Sequence, residues 1–179
     1  MRTRRVLVVL AMLFVFIQLP ALAKDNQSGA GFGLASGTFD ADALPDSLDF
    51  TGYVLFWKLG LTDGWGLQIQ YRDMGDDEDL ALGEEDDYTQ IGVHAVYMWR
   101  HGKRVRPHIK FGIARTDFDA KIPLFGTLTD DDTTISVGGG LEAGSERIAF
   151  FGDYDYSEPD IFGEAVQIGN LTLGIVFKY

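Results

Sequence analysis

From residue 24 onward, apolar side chains recur at every second position, and no segment carries an apolar stripe at helical spacing. In Trp65-Gly66-Leu67-Gln68-Ile69-Gln70-Tyr71-Arg72, the Trp, Leu, Ile and Tyr share one face, while Gly, Gln, Gln and Arg share the other. Pro107, Ile109, Phe111 and Ile113 alternate in the same way with His108, Lys110, Gly112 and Ala114. The last stretch sets Leu171, Leu173, Ile175, Phe177 and Tyr179 against Asn170, Thr172, Gly174, Val176 and Lys178. The pattern predicts eight strands, near 29–38, 50–59, 64–73, 88–99, 105–116, 133–143, 147–157 and 165–179. Two of them alternate poorly: Gly29–Thr38 is glycine-rich, and Tyr53-Val54-Leu55-Phe56-Trp57 is apolar on both faces. Their lengths lie near the roughly 9–11 residues that a tilted strand needs to cross a bilayer.

The links between these strands are sorted by length. Long ones follow strands one, three, five and seven, at Phe39–Asp49, Met74–Asp87, Asp117–Asp132 and Glu158–Glu164. Short ones, Gly60–Asp63, Arg100–Arg104 and Gly144–Glu146, follow strands two, four and six. If the first strand starts on the inner side, every long link is extracellular and every short one periplasmic, the topology of bacterial outer-membrane barrels. A soluble meander has no reason to sort its loops in this way. The expected fold is therefore all-β: an eight-stranded antiparallel up-and-down transmembrane β-barrel.

The amino terminus agrees with export. Three arginines, Arg2, Arg4 and Arg5, precede the twelve apolar-run residues Val6–Ile17, and Leu19-Pro20-Ala21-Leu22-Ala23 offers a small-x-small cleavage site. This is the layout of a secretory signal peptide, and the run is too short for a spanning helix. The expected organisation is a signal peptide at 1–23 and a barrel domain at 24–179. Of the 15 basic residues, three leave with the leader, so 12 remain against 27 acids and the formal net charge is −15. So acidic a chain is a poor partner for nucleic acid, where binding rests on Lys and Arg. With no cysteine, disulfides, thiolate metal sites and a lipoprotein anchor are all excluded.

Aromatic and charged positions decide which face is wet. Trp57 and Trp65 flank the first short turn, Tyr97 and Trp99 precede the second, and Phe177 and Tyr179 close the chain at the same level. These six form the expected inner membrane-interface girdle, because Trp and Tyr favour the membrane–water boundary. Phe39, Phe50, Tyr71, Tyr88, Phe118, Tyr154 and Tyr156 lie near the long links and form the expected outer one. Arg72, Lys110, Glu142 and Asp153 sit mid-strand, in phase with small or polar neighbours. A Lys or Arg facing lipid at mid-bilayer costs about 2–4 kcal/mol. These four should therefore point inward and pair with one another in an interior ion network, joined by Gln68, Gln70 and Gln90. Inward glycines (Gly66, Gly92, Gly112 and the Gly138-Gly139-Gly140 run) leave room beside them, and no wide channel is expected.

Three segments resemble the small eight-stranded outer-membrane barrels of the OmpA-transmembrane-domain and OmpX type. Arg106-Pro107-His108-Ile109-Lys110-Phe111-Gly112-Ile113-Ala114 is similar to the family's fifth strand, and Ser136-Val137-Gly138-Gly139-Gly140-Leu141-Glu142 to its glycine-rich sixth. Leu171–Tyr179 resembles the alternating terminal strand that ends in an aromatic and is read by the barrel-assembly machinery. The last residue is Tyr179 where the family usually has Phe, and no peptidoglycan-binding domain follows, so cell-wall anchoring is not implied. The resemblance implies a monomer in the Gram-negative outer membrane, in contact with its lipid and lipopolysaccharide.

Three functions fit such a chain. The first is a non-enzymatic barrel displaying acidic loops, with roles in envelope integrity, adhesion or surface interaction. The second is a lipid A-modifying enzyme, which needs a nucleophile and base reachable from lipid. Of the three histidines, His94 and His108 fall on the polar, inward phase and His101 in a basic turn, and no His-x-Ser-Asn motif occurs. The third is a soluble calycin-like barrel holding an apolar ligand, which would turn Leu67, Ile69, Ile109 and Phe111 inward. The acidic runs Asp76–Asp79, Glu84–Asp87 and Asp130–Asp132 do not form an EF-hand: counting from Asp76, the sixth residue is Ala81, not glycine. They read as a solvated, self-repelling loop surface. No cofactor, metal or catalytic residue is expected.

Overall fold

The computed structural model describes residues 28–41, 47–62, 64–75, 86–99, 104–122 and 126–179. The leader at 1–23, the acidic residues 76–79 and 84–85, Asp63, and residues 100–103 of the second short link, His101 among them, lie outside the described residues. Among the described residues nine strands follow in chain order: β1 (Gly29–Ala41), β2 (Leu48–Thr62), β3 (Trp65–Gly75), β4 (Asp86–Met98), β5 (Val105–Ile122), β6 (Gly126–Gly144), β7 (Ile148–Ser157), β8 (Asp160–Ile161) and β9 (Glu164–Lys178). Each wall strand pairs antiparallel with the next, and β1 closes on β9 over thirteen residue pairs, from Gly29↔Lys178 to Ala41↔Val166. Closure leaves no free edge around the wall, so eight strands make an up-and-down barrel. The ninth, β8, is a short flap hydrogen-bonded to the start of β9.

The strands run further than alternation predicts. β5 and β6 continue through most of the expected link Asp117–Asp132 and pair from Asp117↔Asp131 out to Ile122↔Gly126. Period-two patterning marks a strand only where one face is apolar, and above the barrel both faces of this ribbon are wet. The β5–β6 ladder carries the ribbon outward, and Arg115 adds to it: its Nη2 lies 2.9 Å from Asp131 across the pair and its Nε 3.2 Å from Asp117 on its own strand. On its other side β6 meets β7 only from Ser136 to Gly144, so residues 126–135 stand clear of that neighbour.

Side-chain exposure alternates along the wall. Outward positions remain strongly exposed although apolar: Leu34 at 77%, Ile135 at 71%, Phe150 at 67%, with Leu173, Phe111 and Ile113 above half. A contiguous apolar band of this extent is incompatible with a soluble monomer and fits acyl chains as its solvent. The inward face of β1 carries glycine at 29, 31, 33 and 37, which lets bulky neighbours fill the lumen. A Cβ on Gly31 would run into the Phe56 ring, and one on Gly174 would lie 2.7 Å from the Phe151 ring. Those two rings meet edge to face, 4.9 Å apart, in a cluster with Val54, Ala149 and Val176.

Candidate functional site

The lumen is filled in layers. At the outer end Ala35, Phe39, Phe50, Met74, Tyr88, Phe118, Ile161, Val166 and Ile168 form an apolar plug. Phe39 stacks on Phe118 at 5.2 Å, and Phe50 meets the Tyr88 ring edge-on at 5.2 Å. This corrects the expected outer girdle: Phe39, Phe50, Tyr88 and Phe118 are buried inward, and of that set only Tyr154 is strongly exposed. Register explains it. Phe50 is in phase with Val54 and Phe56, Tyr88 with Gln90 and His94, and Phe118 with Lys110 and Thr116, all of them inward positions. Residue type had suggested an interface; phase puts the rings inside.

Beneath the plug lies a buried ionic layer. Lys110 Nζ reaches Asp153 Oδ2 at 2.8 Å and Asp155 Oδ1 at 2.9 Å, and Arg72 Nη2 donates to Asp155 Oδ2 at 2.7 Å. His108 Nε2 stands 3.0 Å from Asp153 Oδ1. Arg72 also donates to Gln90 (2.6 Å), Lys110 to Gln70 (3.4 Å), and Gln68 to Gln70 (3.2 Å). Of the four charges expected to pair, the structure thus joins Lys110 to Asp153 directly and Arg72 to both only through Asp155. Glu142 is not among them. It bonds Lys58 and lies 2.8 Å from Lys178, forming a second group at the inner end. The β6–β7 register supplies the reason: Gly140 faces Asp153 and Gly138 faces Asp155, while Glu142 faces Phe151, one inward-pointing position closer to the β6–β7 turn. Asp155 and Lys178 were legible as same-face neighbours of Asp153 and Val176. Lys58 was hidden, because the segment before it is apolar on both faces and gives no phase.

The remaining sequence candidates also have defined places. Trp57 and Tyr179 are joined by a hydrogen bond from the indole N–H to the phenol oxygen. Trp65 packs on Tyr97 at 5.0 Å, and Tyr97 on Trp99 at 5.1 Å. Phe177 is half-exposed beside them in the register of β1 and β9, opposite Ala30. These six outward-phase residues therefore gather at one end of the wall, beside the chain's last residue and the β2–β3 turn. His94 Nε2 meets Ser136 Oγ at 3.1 Å, with both side chains buried in the lumen.

The acidic run Asp130–Asp132 is a correction to the solvated, self-repelling surface expected of it. Asp132 Oδ2 accepts the Asp160 N–H at 2.8 Å and Asp130 Oδ2 the Phe162 N–H at 2.5 Å, so both carboxylates clasp the β8 flap, while Asp131 pairs with Arg115. Phe162 is held at φ 55°, its ring edge-on to Phe118, and Ile161 enters the plug. Among the described residues no group of three or more His, Asp or Glu is disposed to hold a metal ion.

No curated protein sequence matches this chain. Solved structures do match its fold. Ail, the attachment invasion locus protein of Yersinia pestis, aligns at 18% identity and TM-score 0.68, covering 87% of this chain and all of that one. A second Ail structure, in complex with the heparin analogue sucrose octasulfate, aligns at 18% identity and TM-score 0.66, over 86% and 98% of the two chains. Neisserial surface protein A aligns at 12% identity and TM-score 0.73, over 85% and 97% of the two chains. Each of these likenesses speaks for fold alone. The outer membrane protein beta-barrel domain family matches residues 8–179, nearly the whole sequence. With its closed eight-stranded wall, its lipid-compatible outer face and this match, the chain belongs to the outer membrane protein beta-barrel domain family, which places it in the Gram-negative outer membrane.

Proposed function

We propose that the protein is a non-enzymatic, monomeric barrel whose work is done on its outside, by lipid contact and by the segments displayed between strands at the outer end. The observation that carries this reading is the filled lumen. Among the described residues an apolar plug, a paired ionic layer and an aromatic cluster fill the lumen, which supports a barrel interior that serves packing rather than solute passage or substrate binding. The Ser136–His94 pair has the residue types of a nucleophile and its base, but both are buried, and His94 Nδ1 has no acceptor to orient the ring among the described residues. The leader at 1–23 is removed on export, and Leu171–Tyr179 serves as the strand offered to the assembly machinery. The six inner aromatics then sit at the periplasmic interface, and the ionic layer fixes strand register from within.

Roles in envelope integrity, adhesion or surface contact follow from what is displayed. One relative, Ail, has been seen with a polyanionic heparin analogue. Here the outer links hold Asp76-Asp77-Glu78-Asp79 and Glu84-Glu85-Asp86-Asp87, so charge complementarity favours cationic partners over sulfated ones. The test combines localisation with loop chemistry. The protein should fractionate with the outer membrane, migrate differently on gels before and after boiling, and give no steady conductance in planar bilayers. Cells producing a variant with Asp76, Asp77, Glu78 and Asp79 changed to Asn or Gln should lose surface attachment while keeping the heat-modifiable band. Recovery of the protein from the soluble periplasm, or lipid A deacylation by the purified barrel, would refute the proposal.

A further inference from the structure

The inner end of the barrel holds more cation than carboxylate. In the middle of the lumen, Arg72 and Lys110 are matched by Asp153 and Asp155. Nearer the periplasm, Lys58 and Lys178 share the single carboxylate of Glu142. Arg106 lies opposite Glu142 in the β5–β6 register, and its Nε is shielded from solvent with no acceptor among the described residues. The Nη2 of Arg106 donates at 3.3 Å to the Ser145 carbonyl in the turn between β6 and β7. That turn is well braced. Ser145 Oγ accepts the Arg147 and Ile148 N–H groups at 3.2 and 3.0 Å, and the Gly144 N–H donates to the Arg104 carbonyl at 2.8 Å. Arg104 and Arg147, with Gly144, Ser145 and Glu146, line an open cleft of about 430 Å³.

Among the described residues the cleft is lined by two cationic side chains, Arg104 and Arg147, against the one carboxylate of Glu146, and Arg106 reaches the same turn from behind. That local excess of cations occurs in a chain whose formal net charge is −12. The cleft opens where the apolar outer face ends, beside the exposed Val105, Ile148 and Phe150. A lipid whose chains lie on that face brings its headgroup to the cleft, and headgroup phosphate is the anion this rim would meet first. We propose that the cleft is a binding site for the phosphate of an anionic phospholipid in the periplasmic leaflet, held by Arg104 and Arg147, with Arg106 behind them. The inference rests on the membrane orientation proposed above.

The test uses the full-length barrel in an uncharged detergent, mixed with equal amounts of phosphatidylglycerol and phosphatidylcholine of identical acyl chains and read by native mass spectrometry. Each basic residue near an anionic surface contributes on the order of a fivefold preference. Wild type should retain phosphatidylglycerol over phosphatidylcholine, and the exposed-site double variant Arg104→Gln/Arg147→Gln should bring the ratio close to one. Arg115→Gln, at the opposite end, should leave it unchanged. A wild-type ratio near one, or a preference surviving in the double variant, overturns the site. Retention of inorganic phosphate alone as tightly as the lipid overturns its assignment to a headgroup. Because the chain has no cysteine, Glu146→Cys gives a single handle for an impermeant maleimide. It should stay unlabelled in intact cells and react once the outer membrane is permeabilised. Labelling of intact cells would overturn the orientation, and with it the leaflet, while an unselective lipid ratio with correct labelling would overturn the site alone.

Discussion

Asp155 is the carboxylate on which the lumen's charge balance turns, and its removal gives the sharpest test of the interior. It lies 2.7 Å from Arg72 and 2.9 Å from Lys110, and all three side chains are buried. At an effective dielectric of about 20, each such contact carries roughly 6 kcal/mol of gross attraction. Much of this is offset by the several kcal/mol that burying the carboxylate itself costs. An asparagine keeps the shape and one acceptor oxygen but leaves two buried cations sharing Asp153. The expected loss for Asp155→Asn is about 3–5 kcal/mol, the range for breaking a buried pair from one side. The assay is a reversible urea titration of the barrel in detergent or lipid, followed by the fluorescence of Trp57, Trp65 and Trp99. Asp131→Asn is the matched control: it breaks an exposed pair with Arg115 and should cost only about 0–1 kcal/mol. The double variant Arg72→Met/Asp155→Leu restores balance, since Lys110 and Asp153 remain, and should be milder than the single change. If Asp155→Asn unfolds together with Asp131→Asn, the ionic layer does not hold the barrel together and the reasoning fails.

Two further perturbations test the wall. Phe111→Arg places a charge on the outward face at mid-strand, where the wild-type ring is half-exposed, and should destabilise by about 2–4 kcal/mol, whereas Leu61→Arg near the inner rim should cost about 0–1 kcal/mol; equal costs in the same titration would argue against a bilayer around the barrel. Gly31→Val drives a side chain into the Phe56 ring and should cost about 1–3 kcal/mol through overpacking, partly recovered in Gly31→Val/Phe56→Leu; no recovery would mean that the clash lies with the backbone of Ile175 instead.

Taken alone, the sequence determined the period, and with it most of the architecture. Alternation at 65–72, 107–114 and 171–179 required strands with one greasy and one polar face, and the cost of a lipid-facing Arg72 or Lys110 required the polar face to be inside. Those are local properties, readable residue by residue. The tertiary structure decided whatever depends on stagger between strands that are far apart in the chain. It moved Glu142 to Lys58 and Lys178, brought Asp155 between Arg72 and Lys110, and sent Phe39, Phe50, Tyr88 and Phe118 into a plug that residue type alone had assigned to the surface. It also extended β5 and β6 into water, where no apolar face exists to announce a strand and the paired ladder itself, with Arg115 reaching Asp131 across it, carries the ribbon. Periodicity says which way a side chain points; only the closed register says whom it meets.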